Sequence, residues 1–282
     1  NMSHLFEDCS SFISFDTNNF ITDNVKDMSY MFRSCSSIKY IDLSSFKTHE
    51  LISMSHMFQD CISLTNLTIN KFDTSKVEDM SYLLESCLQL MEINLTNVVT
   101  TNVKNMSRLF QYCNKMEKID VSGFDTRKVE STSGLFAKCS KLRRIDLTSF
   151  NLENNKDMSK MFFECPELEE VIFGNNINTK NVENMQSLFD ECLVLSKVDL
   201  KNLQTNNVLD MSNMFQDCGR LAEIDLSNFD TSKVQNMSRM FTGCTGLSSL
   251  NLQNFKTNQA KDMTKMFEYL KLSSLDISRF DT

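Results

Sequence analysis

The sequence predicts an α/β solenoid of about eleven repeats, each about 26 residues long. Every repeat contributes one strand to a parallel β-sheet on one face and one short helix to the other face. Three observations predict it. Methionine recurs at Met2, Met28, Met54, Met80, Met106, Met158, Met185, Met211, Met237 and Met263. The steps are 26 residues, or twice that where Thr132 stands in, except for 27 between Met158 and Met185. Cysteine follows in phase from Cys9 to Cys244, and the residue before each methionine position is always Asp, Asn or Ser. Self-similarity this strict, at a period of roughly 20–50 residues, marks units that bury their apolar flanks against one another.

The first element follows the methionine. In Met80-Ser81-Tyr82-Leu83-Leu84-Glu85-Ser86-Cys87 and its counterparts, apolar residues fall three or four apart, the spacing of one helical face. The Asp, Asn or Ser ahead of it suits a helix N-cap, because its side chain accepts a hydrogen bond from a free N–H of the first turn. About two turns of helix are predicted, too short to survive unless packed.

The second element is a strand. Leu142-Arg143-Arg144-Ile145-Asp146-Leu147 alternates, with Arg144 and Asp146 facing away from the core. Stacked strands lie about 4.8 Å apart, so eleven would form a face on the order of 50 Å long. The third element is F-D-T, as in Phe72/Thr74, Phe124/Thr126 and Phe229/Thr231. Its phenylalanines are expected to stack as a spine, and its threonines to bond loop backbone. Departures concentrate between Thr132 and Asn178: Thr132 for Met, Gly134 inside the predicted helix, Leu152 for Thr, Asn155 for Val, Ile172 for Asp, and an extra residue around Asn175-Asn176. They suggest a bend or a special surface, or else relaxed constraint.

No Pro/Gly/Ser-rich linker interrupts the register, so residues 1–282 read as one continuous domain. Neither end carries a polar capping unit, the mark of a segment of a longer protein. The net charge of −8 argues against nucleic acid. No run of 18 apolar residues exists, so no transmembrane segment is expected.

The pattern L-x-x-I-D-L-S-x-F is close to the leucine-rich-repeat strand motif, with Phe near the usual Asn. Joined to M-S-x-M-F-x-x-C and F-D-T-S-x-V, as in 227–241, it resembles the BspA-like leucine-rich-repeat surface proteins. More narrowly it resembles the branch with repeats of about 26 residues, found in mycoplasma, lactobacillus and protist surface proteins. The resemblance implies a curved solenoid and adhesion or binding at cell surfaces, and it brings no active site.

Candidate chemistry is sparse. Asp42, Asp120, Asp146, Asp199 and Asp225 share the outward strand position with Asp16 and Asp276, and stacked like charges repel. Lys118, Arg144, Lys197 and Glu223 occupy the other outward position. Together they form a solvated face or a partner-binding face. Calcium is disfavoured, since one carboxylate per turn falls short of the roughly six to eight oxygens it takes. His4 and His56 share a column with Tyr30 and Tyr82 and read as a solvated helix flank. The serines after Met are too regular to be nucleophiles. Neither cofactor nor metal is expected. Five N-x-S/T sequons, at Asn1, Asn66, Asn94, Asn105 and Asn236, include three whose Asn is already a cap.

The function these features predict is non-enzymatic: a recognition or adhesion surface outside the cell, binding protein or glycan through its strand face. The alternative is a structural scaffold subunit of an intracellular cytoskeletal or ciliary assembly, which the thiols would suit. The cysteine spacings match no zinc site, and side chains in a ladder point the same way rather than at one another. Thiol titration of the denatured, unreduced protein should therefore return ten free thiols. A count of zero would mean five disulfides.

Overall fold

After each cap, every second backbone N–H leaves its own coil. In the computed structural model, which describes residues 1–14, 17 and 19–281, Met28, Tyr30, Phe32 and Ser34 donate to carbonyls of the next coil. The acceptors are Ser53, Ser55, Met57 and Gln59, at 3.1, 3.0, 2.9 and 2.8 Å. The N–H groups between them, on Met31, Arg33 and Cys35, close tight turns onto Met28, Tyr30 and Phe32 at 3.2, 3.1 and 3.1 Å. Tyr30 and Ser34, third in their turns, have φ of 60° and 58°, as type II turns require. Positive φ recurs two and six residues after the methionine position in coil after coil, as in His56/Asp60, Arg108/Tyr112 and Asn213/Asp217.

No helix occurs among the described residues. The short helices predicted for this side are replaced by a ladder of turns, and the α/β class gives way to coils of turns and parallel strands. Geometry supplies the reason. A helix with its side chains is about 10 Å across, whereas strands stack about 4.8 Å apart, so one helix per coil would force the two faces to fan out. A flat run of turns stacks at close to strand spacing.

The cap residues keep their chemistry in this new setting. Asp27 Oδ1 accepts the Ser29 N–H at 2.9 Å, and Asp157 and Asn236 do the same for Ser159 and Ser238 at 2.9 and 3.0 Å. These are Asx turns, in which a short polar side chain mimics a backbone carbonyl. The cap residues also form parallel bridges coil to coil, unbroken from Asp27 to Asp262.

The strand side is less regular than predicted. Strands β1 (Tyr40–Asp42) and β2 (Asn66–Thr68) pair in parallel, as do β3 (Arg144–Leu147), β4 (Glu170–Phe173) and β5 (Lys197–Val198). Among the described residues the expected unbroken sheet is thus two short ones. The steadier backbone ladder runs along the turns.

Between these sides the apolar residues form one buried cluster from Val25 to Met266. Phe110, Phe136, Phe162, Phe189, Phe215 and Phe241 stack in file with centroids 5.5–5.8 Å apart. This column, four residues after the methionine position, is the long aromatic spine, and the sequence reading did not find it. The expected F-D-T spine is shorter, with Phe46 stacked on Phe72 at 6.5 Å. Each buried aromatic contributes about 1.5–3 kcal/mol by leaving water.

The cysteines are free thiols. Cys61, Cys139 and Cys165 donate to the carbonyls of Phe32, Phe110 and Phe136 in the preceding coil, each at 3.1 Å. Burial pushes the Cys165 thiol up to about 12. The threonines of F-D-T bind the next coil rather than their own loop: Thr126 Oγ1 donates to the Asn151 carbonyl at 2.9 Å and accepts its N–H at 2.8 Å. On the outer flank His4, Tyr30, His56 and Tyr82 stack at 4.6, 4.3 and 4.3 Å, and the Arg108 guanidinium lies 5.2 Å from the Tyr82 ring.

Arg239, exposed at φ 55°, occupies the position that Gly134 fills at φ 64°. Arg239→Gly should raise the thermal midpoint by relieving about 0.5–1 kcal/mol of left-handed strain, and Arg239→Val should lower it. A helix at this place would reverse the first sign, since glycine costs about 1 kcal/mol there.

Candidate functional site

The residues proposed for the strand face lie where alternation puts them. In β3, Arg144 and Asp146 are exposed while Ile145 and Leu147 are buried. Lys118, Asp120, Lys197, Asp199, Glu223 and Asp225 are exposed, and Asp42 is half-buried. Parallel register sets Arg144 beside Glu170 and Glu170 beside Lys197, so charge alternates along the row. Arg144 Nε is 2.9 Å from the Glu170 carboxylate.

The aspartate column has a local purpose. Asp42, Asp120, Asp146, Asp199 and Asp225 each accept, through Oδ1, the N–H two residues on. The distances are 2.9, 3.0, 3.0, 3.1 and 2.9 Å. The Ser122 and Ser227 side chains, then their N–H groups, hold Asp120 and Asp225 below the usual carboxylate range. For Asp42 and Asp146 the backbone N–H leads, and for Asp199 the Lys201 side chain does. The donors that offset repulsion in this column therefore belong to the same turn as each carboxylate. Asp16 lies outside the described residues.

A large concavity lies elsewhere, on the side where each coil turns after its strand. An open groove of about 1230 Å³ crosses five coils between Gly123 and Asp230. Its apolar lining side chains, Phe124 and Leu203, are only 3% and 2% exposed. Amides and charges therefore face solvent. Buried threonines fix the groove's backbone: Thr179 holds Gln204 through bonds of 3.0 and 2.7 Å, and Thr205 holds Asp230 at 3.0 and 2.8 Å.

The irregular coil shapes this wall. At Leu152 the missing threonine is replaced by a backbone bond, from the Leu152 N–H to the Ile177 carbonyl at 2.8 Å. Gly174 presses so closely on the preceding coil that a Cβ would come 2.6 Å from the Thr148 carbonyl oxygen. At the extra residue Asn175 and Asn176 are exposed, and Asn202 Nδ2 donates to Asn175 Oδ1 at 3.1 Å. Arg127 grips Asp125 through Nε and a terminal nitrogen, at 3.0 and 2.6 Å. Lys180 has no ion pair among the described residues. None of the nine strand-face residues lines this groove. The sequence signal that pointed here was the extra residue within a run of asparagines.

One buried acid stands apart. Asp190 is 4% exposed, accepts the Ser187 hydroxyl at 3.0 Å, and leaves Oδ1 without a partner. Burial pushes its carboxyl up to about 7, partly offset by the Ser187 bond and reinforced by Glu191, Asp217 and Glu164. No cluster of His, Cys, Asp or Glu suited to a metal ion occurs among the described residues. No helix among them is long and apolar enough to cross a membrane.

A family model described as "Mycoplasma protein of unknown function, DUF285" matches four overlapping stretches, 1–97, 52–173, 89–197 and 167–280. No curated protein matches the chain. Solved structures similar to it include a leucine-rich repeat protein from Eubacterium ventriosum, at 14% identity and a TM-score of 0.46, covering 86% of this chain and 64% of that one. The chain thus spans less than two thirds of that protein. The T. pallidum leucine-rich repeat protein is 18% identical, with a TM-score of 0.36 and coverage of 71% and 72%. One from Bacteroides ovatus is 17% identical, with a TM-score of 0.34 and coverage of 89% and 88%.

Asp190, in the turn segment away from the groove and the strand face, gives the fold a pH signature. Its folded pKa of about 7 lies above the ordinary value near 4, so its contribution is fully present at low pH and lost as pH rises through 7. Asp190→Asn keeps an acceptor for Ser187 without a charge to bury. It should raise the thermal midpoint over the parent at pH 8 and leave it nearly unchanged at pH 4, the gain at pH 8 being about 1–3 kcal/mol.

Proposed function

The chain belongs to that DUF285 family, and on this premise we propose that it is a non-enzymatic recognition solenoid displayed at the cell surface. It holds partners by adhesion-type contacts, with protein or glycan as the ligand. The observation that carries the reading is the open groove crossing five coils, whose exposed lining is polar and charged. A rigid stack offers such a groove at little ordering cost, because every coil is already fixed by its neighbours.

Two surfaces are available for binding. On the strand face Arg144 is already paired with Glu170, which parallel register also sets beside Lys197. The groove is recessed, and Lys180 stands in it without an ion pair. We favour the groove as the primary surface and the strand face as the secondary one. The free thiols suit an intracellular scaffold equally well, and this is the second reading. Burial from Cys35 to Cys244 shields them from exchange in either compartment.

Antibody labelling of intact and permeabilised cells separates the two readings. Labelling of intact cells is the expected result. Labelling that appears only after permeabilisation would overturn surface display and leave the scaffold.

A further inference from the structure

We propose that the groove between Gly123 and Asp230 binds a glycan chain bearing carboxylate groups. The inference rests on the recognition role above and adds the chemistry of the ligand. Its first support is what the walls present to solvent: Asn175, Asn176, Gln204 and Asn206 are exposed amides. Each amide offers one acceptor oxygen and two donor hydrogens. A sugar hydroxyl donates and accepts at once, so neighbouring hydroxyls on one ring match this array.

The second support is what the walls lack. Phe124 and Leu203 are buried beneath the surface, and no aromatic ring faces the groove from its lining residues. Apolar anchors, aromatic-lined grooves and open sheet edges, which hold most peptides, are not offered here, so an acidic peptide could be held only by the cations. Single-stranded nucleic acid would need exposed rings on which to stack its bases. A hydroxyl-rich chain has no such requirement.

The third support is charge. The whole chain is at −8, yet Arg127, Lys180 and Lys201 outnumber Asp125 and Asp230 along this lining. Arg127 is engaged by Asp125, and Lys201 lies 2.9 Å from Asp199. Lys180, at the centre of the groove and without an ion pair among the described residues, is the first cation a ligand carboxylate meets. Smaller grooves are lined by adjoining residues, one adding Lys156 and Lys233 with Glu183 and another adding Lys256 and Arg279. A chain laid along the axis would meet similar columns in successive coils, and weak contacts of this kind gain strength through multivalency.

Calorimetric titration of the whole chain with hyaluronan and alginate hexasaccharides, with cellohexaose and hexaglutamate as controls, tests the proposal. At least one acidic hexasaccharide should bind, more weakly as salt rises. The paired change Lys180→Glu and Asn206→Ala should weaken it by about tenfold or more, and Lys115→Glu, exposed and outside the groove, should leave it unchanged. Both altered positions are exposed, so an unchanged thermal midpoint will certify folding. Equal binding of cellohexaose would overturn the carboxylate requirement, and hexaglutamate binding as tightly would overturn the glycan. Failure of both acidic sugars, with intact cells still labelled, would overturn this inference and leave the recognition role standing.

Discussion

Alternating allegiance of the backbone N–H groups is the interaction on which this structure depends. Along each turn segment one N–H closes its own tight turn and the next crosses to the neighbouring coil at 2.8–3.1 Å, as between Met28–Cys35 and Ser53–Gln59. Buried backbone groups must be satisfied, and this division satisfies both sets without a helix. It requires left-handed φ at two places per coil, which non-glycine residues occupy at some cost in strain. The cooperative ladder and the apolar stack beneath it offset that strain. A single coil removed from the stack would lose the partner of every second N–H in its turn segment.

Identical coils make identical columns, and each column solves one local problem. Asx residues fix the turns at the cap position and again after the strand. Cysteine hydrogens reach a carbonyl of the coil before, and threonine hydroxyls bind the coil after. Departures from a column come with compensation. Thr132 replaces a core methionine and Asn155 replaces a core valine, and the two meet: Asn155 Nδ2 donates to Thr132 Oγ1 at 3.3 Å with both residues fully buried. Two polar intrusions into an apolar core are thus one paired substitution. Gly134, an apparent weakness in a helix, sits at φ 64°, where glycine is the least strained choice.

The same irregular stretch shapes the groove. Between Leu152 and Asn178 the threonine column lapses, a backbone bond takes its place, and one extra residue brings exposed asparagines at 175 and 176. Regular coils present their polar groups as flat rows in which charges answer one another. At the departure from register Asn175 is met by Asn202 of the next coil, and Asn176 beside it is exposed. That is the physical basis for placing recognition here rather than on the strand face, where Arg144 is already answered by Glu170.

The sequence by itself determined the repeat, the apolar columns, the capping acceptors and the inward and outward alternation of the strand residues. Each of these follows from residue type and spacing, which stacking copies unchanged from coil to coil. It also marked 132–178 as the place where the pattern breaks. Tertiary structure decided the rest. Spacing of three and four is shared by a helix and by a ladder of type II turns, and only the choice of hydrogen-bond partner separates them. That partner is 25 residues away in the next coil, as Met28 is from Ser53, beyond the reach of any local pattern. The aspartate column read as a charged face because its donors, the N–H groups two residues on, become available only when the chain turns. The break in pattern was legible, but the extent of the groove was not: its walls come from five coils, and their separation is set by the stack and not by any one of them.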